Sequence, residues 1–423
     1  MDSTLRELLA AAPSAEAWRE VCRLLADAGP RDMLAAVSHL RTWPADLRPM
    51  PDGWWDERGR GVHRPWHAAA AWRALGDLED VQNGRPPAAG ADDGDETDFA
   101  CFSEGATAVA VPADPSWLLL CAAAEWHHNG GDIVVWGTGG QTAPAMLLDG
   151  SGFHDEALDA QLSPDGTVAV CSVEGRLHAW RTPGGEPLWQ LALAETTDPA
   201  DGDMAHTAVR IGFSGDGRRV VAGSAARGVH LVDTGTGELL HHVRAAYCGP
   251  VALDRDGARL AHAGTSGGVV VRDAATGAVL LCHDTGLAAV NALAFAPDGT
   301  GLAVAGGLPD TGGSRHVRPA ACVLDLAGNT VTGTRLVMPS GVPAKLAADS
   351  PLAAVSTRCV WGGHGPLVNA VDDAGAVLFD ATGQVLWTAP EMTVGGFSAD
   401  GRVLVTVGED VTAVLLDGLV TPR

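Results

Sequence analysis

The chain has 423 residues, 46% of them hydrophobic, and a formal net charge of −24. That charge repels phosphate backbones and anionic headgroups, so nucleic acid and membrane surfaces are excluded as expected partners. No apolar run reaches the ~18 residues that span a bilayer. The start, MDSTLRELLAAAP, has neither a basic region nor a continuous apolar core of a signal peptide, so the expected address is cytoplasmic.

Residues 1–82 carry helical periodicity. Thr4 and Glu7 have capping-box spacing, and Trp18, Val21, Cys22 and Leu25 recur on one helical face. Gly29-Pro30 is expected to separate two helices, and Pro65 to begin a last one reaching about Val81. Between them lies WPADLRPMPDGWWDERGRG (43–61). The tryptophans of this region read as core filling, with an aromatic and arginine interface as the alternative. The expectation is a small all-α domain over 1–82. Residues 83–96, NGRPPAAGADDGDE, read as an acidic linker rich in Pro and Gly.

From residue 97 the period changes. LSPDGTVAV (162–170), FSGDGRRVV (213–221), LDRDGARLA (253–261), FAPDGTGLA (295–303) and FSADGRVLV (397–405) are copies of one unit. VPADPSWLL (111–119) and LAADSPLAA (346–354) are degenerate copies. In each, an apolar strand enters an x-D-G turn, where glycine accepts positive φ and aspartate binds nearby backbone. A second apolar run, a loop, an alternating third strand such as GVHLVD, a T-G or G-G turn and a fourth strand follow. Four short strands per unit predict a β-propeller. The fold expectation is therefore mainly β, a seven-bladed β-propeller over 97–423 preceded by the helical domain. After TAVLLDG (412–418) too little chain remains for a fourth strand, so residues 97–104, TDFACFSE, are expected to close the last blade.

The x-D-G turns and the aspartates that end the third strands, Asp233, Asp273, Asp325, Asp380 and Asp417, resemble the WD40-repeat family across about residues 97–423. The match is degenerate. Trp136 is followed by Gly137 and Trp180 by Arg181, so no W-D pair occurs, and the usual Gly-His opening is missing. DATGQVLW (380–387) also resembles quinoprotein-like propellers. The first resemblance implies a rigid docking ring, the second a cofactor enzyme.

Motifs for chemistry are thin. Gly264-Thr265-Ser266-Gly267-Gly268 fits G-x-S-x-G, but it falls in a β-hairpin and not between strand and helix. No phosphate-binding P-loop and no H-E-x-x-H motif occurs, and DPADGD (198–203) lacks the spacing of a calcium loop. The eight cysteines show no C-x-x-C and read as free thiols, the copies in apolar runs as buried ones. No catalytic residue, metal ligand or cofactor is predicted. In the resembling family the second-to-third strand loops share one rim. Three such stretches carry aromatic and basic groups: Trp126, His127 and His128 in unit one, Arg315, His316 and Arg318 in unit five, and Trp361 and His364 in unit six. These eight residues are the predicted surface for another protein or a peptide. The leading expectation is a non-enzymatic interaction scaffold. The alternatives are an enzyme (hydrolase, lyase or quinoprotein-like) with its site at the channel or on that rim, and a sensor coupling the propeller to the helices.

Overall fold

The computed structural model describes residues 3–25, 36, 39–40, 42–44, 47, 65–67, 106–112, 117–123, 131–137, 145–148, 159–173, 175–193, 209–224, 227–244, 249–264, 267–309, 316–340, 346–347, 357–363, 365–372, 375–390, 394–407 and 410–416. Two helices open the chain, α1 (Ser3–Ala10) and α2 (Ala15–Leu25). Ser14 caps α2, its Oγ accepting the Ala17 N–H at 3.1 Å. Leu5 and Leu9 of α1 and Trp18, Val21 and Leu25 of α2 are buried, as the helical spacing predicts. Trp18 packs edge-on against Trp43 at 6.4 Å between centroids, and both are buried, so these two tryptophans fill a core.

Apart from a few helical residues between 36 and 47, the rest of the described regular structure is β, and it forms a propeller. Six sheets are antiparallel meanders of consecutive strands. Sheet 1 comprises Ala106–Ala110, Trp117–Ala123, Gly131–Gly137 and Ala145–Leu148, and sheet 2 Asp159–Leu162, Val168–Val173, Arg176–Arg181 and Glu186–Ala192. Sheet 3 comprises Arg210–Phe213, Arg219–Ser224, Gly228–Asp233 and Leu239–Val243, and sheet 4 Val251–Leu253, Arg259–Ala263, Gly268–Asp273 and Val279–Asp284. Sheet 5 comprises Ala289–Phe295, Gly301–Pro309, His316–Ala327 and Thr330–Val337, and sheet 6 Arg358–Gly362, Gly365–Asp372, Gly375–Asp380 and Val385–Pro390. In sheet 7, Val394–Phe397, Val403–Val407 and Asp410–Leu415 are joined by Pro65–His67 as the outer strand.

The first strand of each sheet lies innermost. These strands neighbour one another in sheet order from 1 to 7, and the inner strand of sheet 7 returns to that of sheet 1. A parallel bridge between Val111 and Ser398 lies at this closure. There Gly396 sits against the Val109 carbonyl, where a Cβ would collide with backbone. Apolar clusters fill the spaces between successive sheets. Leu119 and Ile133 of sheet 1 join Ala160 and Cys171 of sheet 2, and Leu378 and Trp387 of sheet 6 join Leu404 and Val414 of sheet 7. Second strands such as VAVCSV are apolar without alternation because both faces are covered, whereas the outer strand EPLWQLA is half-exposed along its length.

Local chemistry explains the repeated turns. Asp165 Oδ1 accepts the Ser163 hydroxyl at 2.6 Å and the Thr167 N–H at 3.1 Å; Asp216 and Asp400 do the same with Ser214 and Ser398. The glycine that follows each, such as Gly166 (φ 71°), takes the left-handed conformation. The third-to-fourth strand turns repeat the device. Asp233 Oδ1 accepts the Gly235 and Thr236 N–H groups at 3.0 and 2.9 Å and the Thr236 hydroxyl at 2.9 Å. The quinoprotein-like D-x-T-G pattern is here a turn.

Three expectations need correction. Pro65–His67 is a strand and not the start of a helix: Pro65 pairs with Thr412, Trp66 with Val411 and His67 with Asp410. A proline at the first residue of an outermost strand removes no needed donor. The edge expected to be closed by residues 97–104 is therefore occupied by Pro65–His67, and residues 97–104 themselves lie outside the described residues. The sixth unit is also shifted. Leu346–Ala347 pairs with His316–Val317 of sheet 5, and sheet 6 begins only at Arg358. Its first two strands meet with Gly362 opposite Gly365, because DSP at 349–351 lacks the glycine a tight turn needs. Finally, Cys171 and Cys322 are buried free thiols, but Cys282 is exposed.

Candidate binding site at the channel mouth

Each inner strand runs from the rim of the second-to-third strand loops toward the rim of the x-D-G turns. Three charged residues start such strands or stand at their first position: Asp159 in sheet 2, Arg210 in sheet 3 and Arg358 in sheet 6. They line a central cavity of about 430 Å³ with residues from every sheet of the ring. Sheets 2 and 6 are not neighbours, so their pairing crosses the channel. Arg358 Nη2 donates to Asp159 Oδ1 at 3.0 Å, linking residues 199 apart in the chain.

Asp159 is almost fully buried and its oxygens are shared among three donors. Oδ1 also accepts the Gln161 amide at 3.3 Å, and Oδ2 accepts the Ile211 N–H at 2.9 Å. Burial pulls the Arg210 guanidinium down to about 10, with the Asp159 charge opposing that shift and the Arg358 charge adding to it. Among the described residues, two guanidiniums thus stand near one buried carboxylate.

The same rim carries an extended hairpin. In sheet 5 the second and third strands continue past the first pair of the inner strand, Ala289 with Gly307, through the pairs Leu308–Arg318 and Pro309–Val317. Both ends of the stretch expected as one long loop, 308–309 and 316–319, are therefore strand, and residues 310–315 lie outside the described residues. His316 and Arg318 stand on it, Arg318 half-buried.

The eight predicted residues fare unequally. Trp126, His127, His128, Arg315 and His364 lie outside the described residues. Trp361 does not belong to a second-to-third strand loop. It ends the inner strand of sheet 6, half-buried, on the rim of the x-D-G turns. Its Nε1 donates to the Ala294 carbonyl of sheet 5 at 2.7 Å, and its ring leaves no room for a side chain at Gly301. Trp189 plays the same part between sheets 2 and 3, its Nε1 donating to the Thr234 carbonyl at 2.8 Å. Both indoles tie neighbouring sheets together. Sequence reading missed Asp159, Arg210 and Arg358. The available signal was a charged residue opening an otherwise apolar inner strand, as in DAQL and RIGF.

Comparison with known proteins agrees with the propeller. The family described as PQQ_2, outer membrane protein assembly factor BamB, matches residues 133–300, under half of the chain. The meiotic recombination protein rec14 of Schizosaccharomyces pombe is 29% identical over 153 residues, covering 35% of this chain and 46% of that protein. The chain thus spans about half the length of that curated relative. A chain in a structure titled "Crystal Structure of Mitotic Checkpoint Complex" superposes with a TM-score of 0.52 at 16% identity, covering 73% of this chain and 86% of that one. At this identity the likeness is one of fold. No helix among the described residues is long and apolar enough to cross a membrane.

Proposed function

We propose that the protein is a non-catalytic docking ring that captures another protein or a peptide on the rim of its second-to-third strand loops. In this reading the seven sheets are seven blades of one WD40-like propeller over 97–423, with Pro65–His67 supplied to the last blade. A helical segment N-terminal to Pro65 and an acidic linker over 83–96 precede the ring, and the chain works in the cytoplasm. The observation that carries the reading is the convergence on one rim of the buried charged residues that start the inner strands and the raised hairpin of sheet 5. A rigid ring with irregular loops on one face suits docking. The fold neighbour comes from a structure whose title names a complex, which is in keeping with this use.

Affinity purification of the full chain from its native host tests the proposal. The combined change Trp126→Ala, Arg315→Ala, His316→Ala is expected to lose the partner. Arg218→Ala, an exposed side chain on the x-D-G rim, is expected to keep it. Equal recovery with both variants would sink the reading. A second reading, a quinoprotein-like enzyme, is favoured by the family match over residues 133–300. Visible absorbance or stoichiometric metal in the purified protein would favour it.

A further inference from the structure

We propose that the central channel holds a site for a neutral amide, in which Asn291 of sheet 5 receives the head of one Gln or Asn side chain of the docked peptide. The inference deepens the docking reading and rests on it for the source of the amide. Asn291 stands at a bulge in the inner strand Ala289–Phe295. Val290 pairs with Gly306 and Ala292 with Ala305, so Asn291 has no residue opposite it. An extra residue of this kind bends a strand and re-aims its side chain. The packing around it is broken accordingly. Val290 rests on the apolar cluster between sheets 4 and 5, and Ala292 on the one between sheets 5 and 6. Asn291 joins neither. It is half-buried and lines the central cavity of about 430 Å³, a volume within the ordinary range for ligand pockets. Among the described residues, its side-chain amide makes no hydrogen bond.

The surroundings set the class of ligand. Much of the cavity wall is apolar, with Leu253, Leu293, Phe295 and Val360 among its residues. The charged groups at the mouth are engaged. Asp159 divides its oxygens among Arg358, Gln161 and the Ile211 N–H, and Arg210 and Arg358 both have further interactions. An arriving carboxylate would give up its water for a wall with no spare counter-charge, inside a protein of charge −24. An amide gives up far less. It also presents a donor beside an acceptor, the complement of the Asn291 head. A Gln or Asn side chain adds an apolar stem for the apolar wall. Asn291 lies near the start of its strand, so the site opens toward the docking rim.

The test uses the full chain and ligand-observed NMR titration. The probes are acetyl-Ala-Gln-Ala-amide, its Glu and Met counterparts, and propionamide. The Gln peptide is expected to bind saturably, and about tenfold or more tighter than the Glu peptide, which pays for a buried charge. Asn291→Leu removes the amide at similar volume. It should weaken the Gln peptide about three- to tenfold, the worth of one neutral hydrogen bond, and leave the Met peptide unweakened. That split separates contact with the ligand from general damage to the strand. If Asn291→Leu fails to fold, Asn291→Ala should weaken the Gln peptide more than the Met peptide. Glu binding as tightly as Gln, or equal weakening of the Gln and Met peptides, overturns the site. Propionamide binding at least as tightly as the Gln peptide overturns the peptide as its source and assigns the cavity to a small free amide. Loss of the native partner in the rim variants with no Gln peptide bound overturns the site and leaves the docking reading standing. The reverse result keeps the site and removes the docking reading.

Discussion

Turn aspartates and their glycines show how much one residue decides here. Gly237 has φ 74°, and a Cβ there would lie 2.6 Å from the Trp189 ring that joins sheets 2 and 3. Gly237→Ala therefore meets two penalties, a left-handed backbone and a collision, and should cost about 2 kcal/mol in urea unfolding. Trp189→Phe exchanges the indole for a smaller phenyl ring and loses the bond to Thr234, so about 1–3 kcal/mol is expected. His230 gives a pH effect of definite sign. Burial, then the charges of His242 and Arg227, pull it down to about 4, and its ring stacks on His242 at 4.2 Å. The unfolded imidazole titrates near 6.5, roughly the ordinary value. Between those values the unfolded chain binds the extra proton, so stability is full above pH 6.5 and falls as the pH drops toward 4. His230→Phe should flatten that part of the stability profile by about 1–2 kcal/mol, allowing for solvent screening. The x-D-G glycines were legible in the sequence because their chemistry is local. The His230–His242 stack was not, since it depends on which residues the strand register sets opposite each other.

Strands and hairpins follow from sequence wherever the turn signal is intact. Sheets 2 to 5 and sheet 7 have an Asp-Gly after the inner strand, and their expected units coincide with observed sheets. The sixth unit failed because Asp349 is followed by Ser350-Pro351, and the glycines that make the real turn stand at 362–365. The closing strand failed for a different reason. Three residues, Pro-Trp-His, carry no alternation to read, and their partner strand lies at Asp410–Leu415, at the far end of the chain. This closure predicts a sharp boundary. Removing residues 1–60 should leave the melting of the β signal nearly unchanged. Removing residues 1–70 uncovers the edge of Asp410–Leu415 and should lower the Tm by about 2–4 °C for each kcal/mol of lost pairing. It should also promote self-association through the bare edge. Equal melting and equal monodispersity of the two truncations would contradict closure by Pro65–His67.

Among the described residues, the ring is held by apolar layers and side-chain hydrogen bonds between neighbouring sheets and by an ion pair across the channel. The layers were foreseeable, since unbroken apolar second strands announce sheets covered on both faces. The cross-channel pair was not, because it joins residues 199 apart whose common orientation appears only once the ring is closed. The pair couples sheets 2 and 6 directly, and it is dry: the side chains are 2% exposed for Asp159 and 13% for Arg358. Arg358→Met should cost about 3 kcal/mol, because Asp159 keeps its burial and loses its strongest donor. Arg210 remains close enough to offset part of that loss, which sets the estimate at the low end for a broken buried pair. Asp159→Asn alone should cost less, since the amide oxygen can still accept the Ile211 N–H. The double variant should then be more stable than the sum of the two single losses predicts, by about 1–2 kcal/mol of coupling. Urea unfolding of the four proteins measures this cycle. Strict additivity would mean that the bond across the channel contributes no coupling, and that the ring is held by contacts between neighbouring sheets.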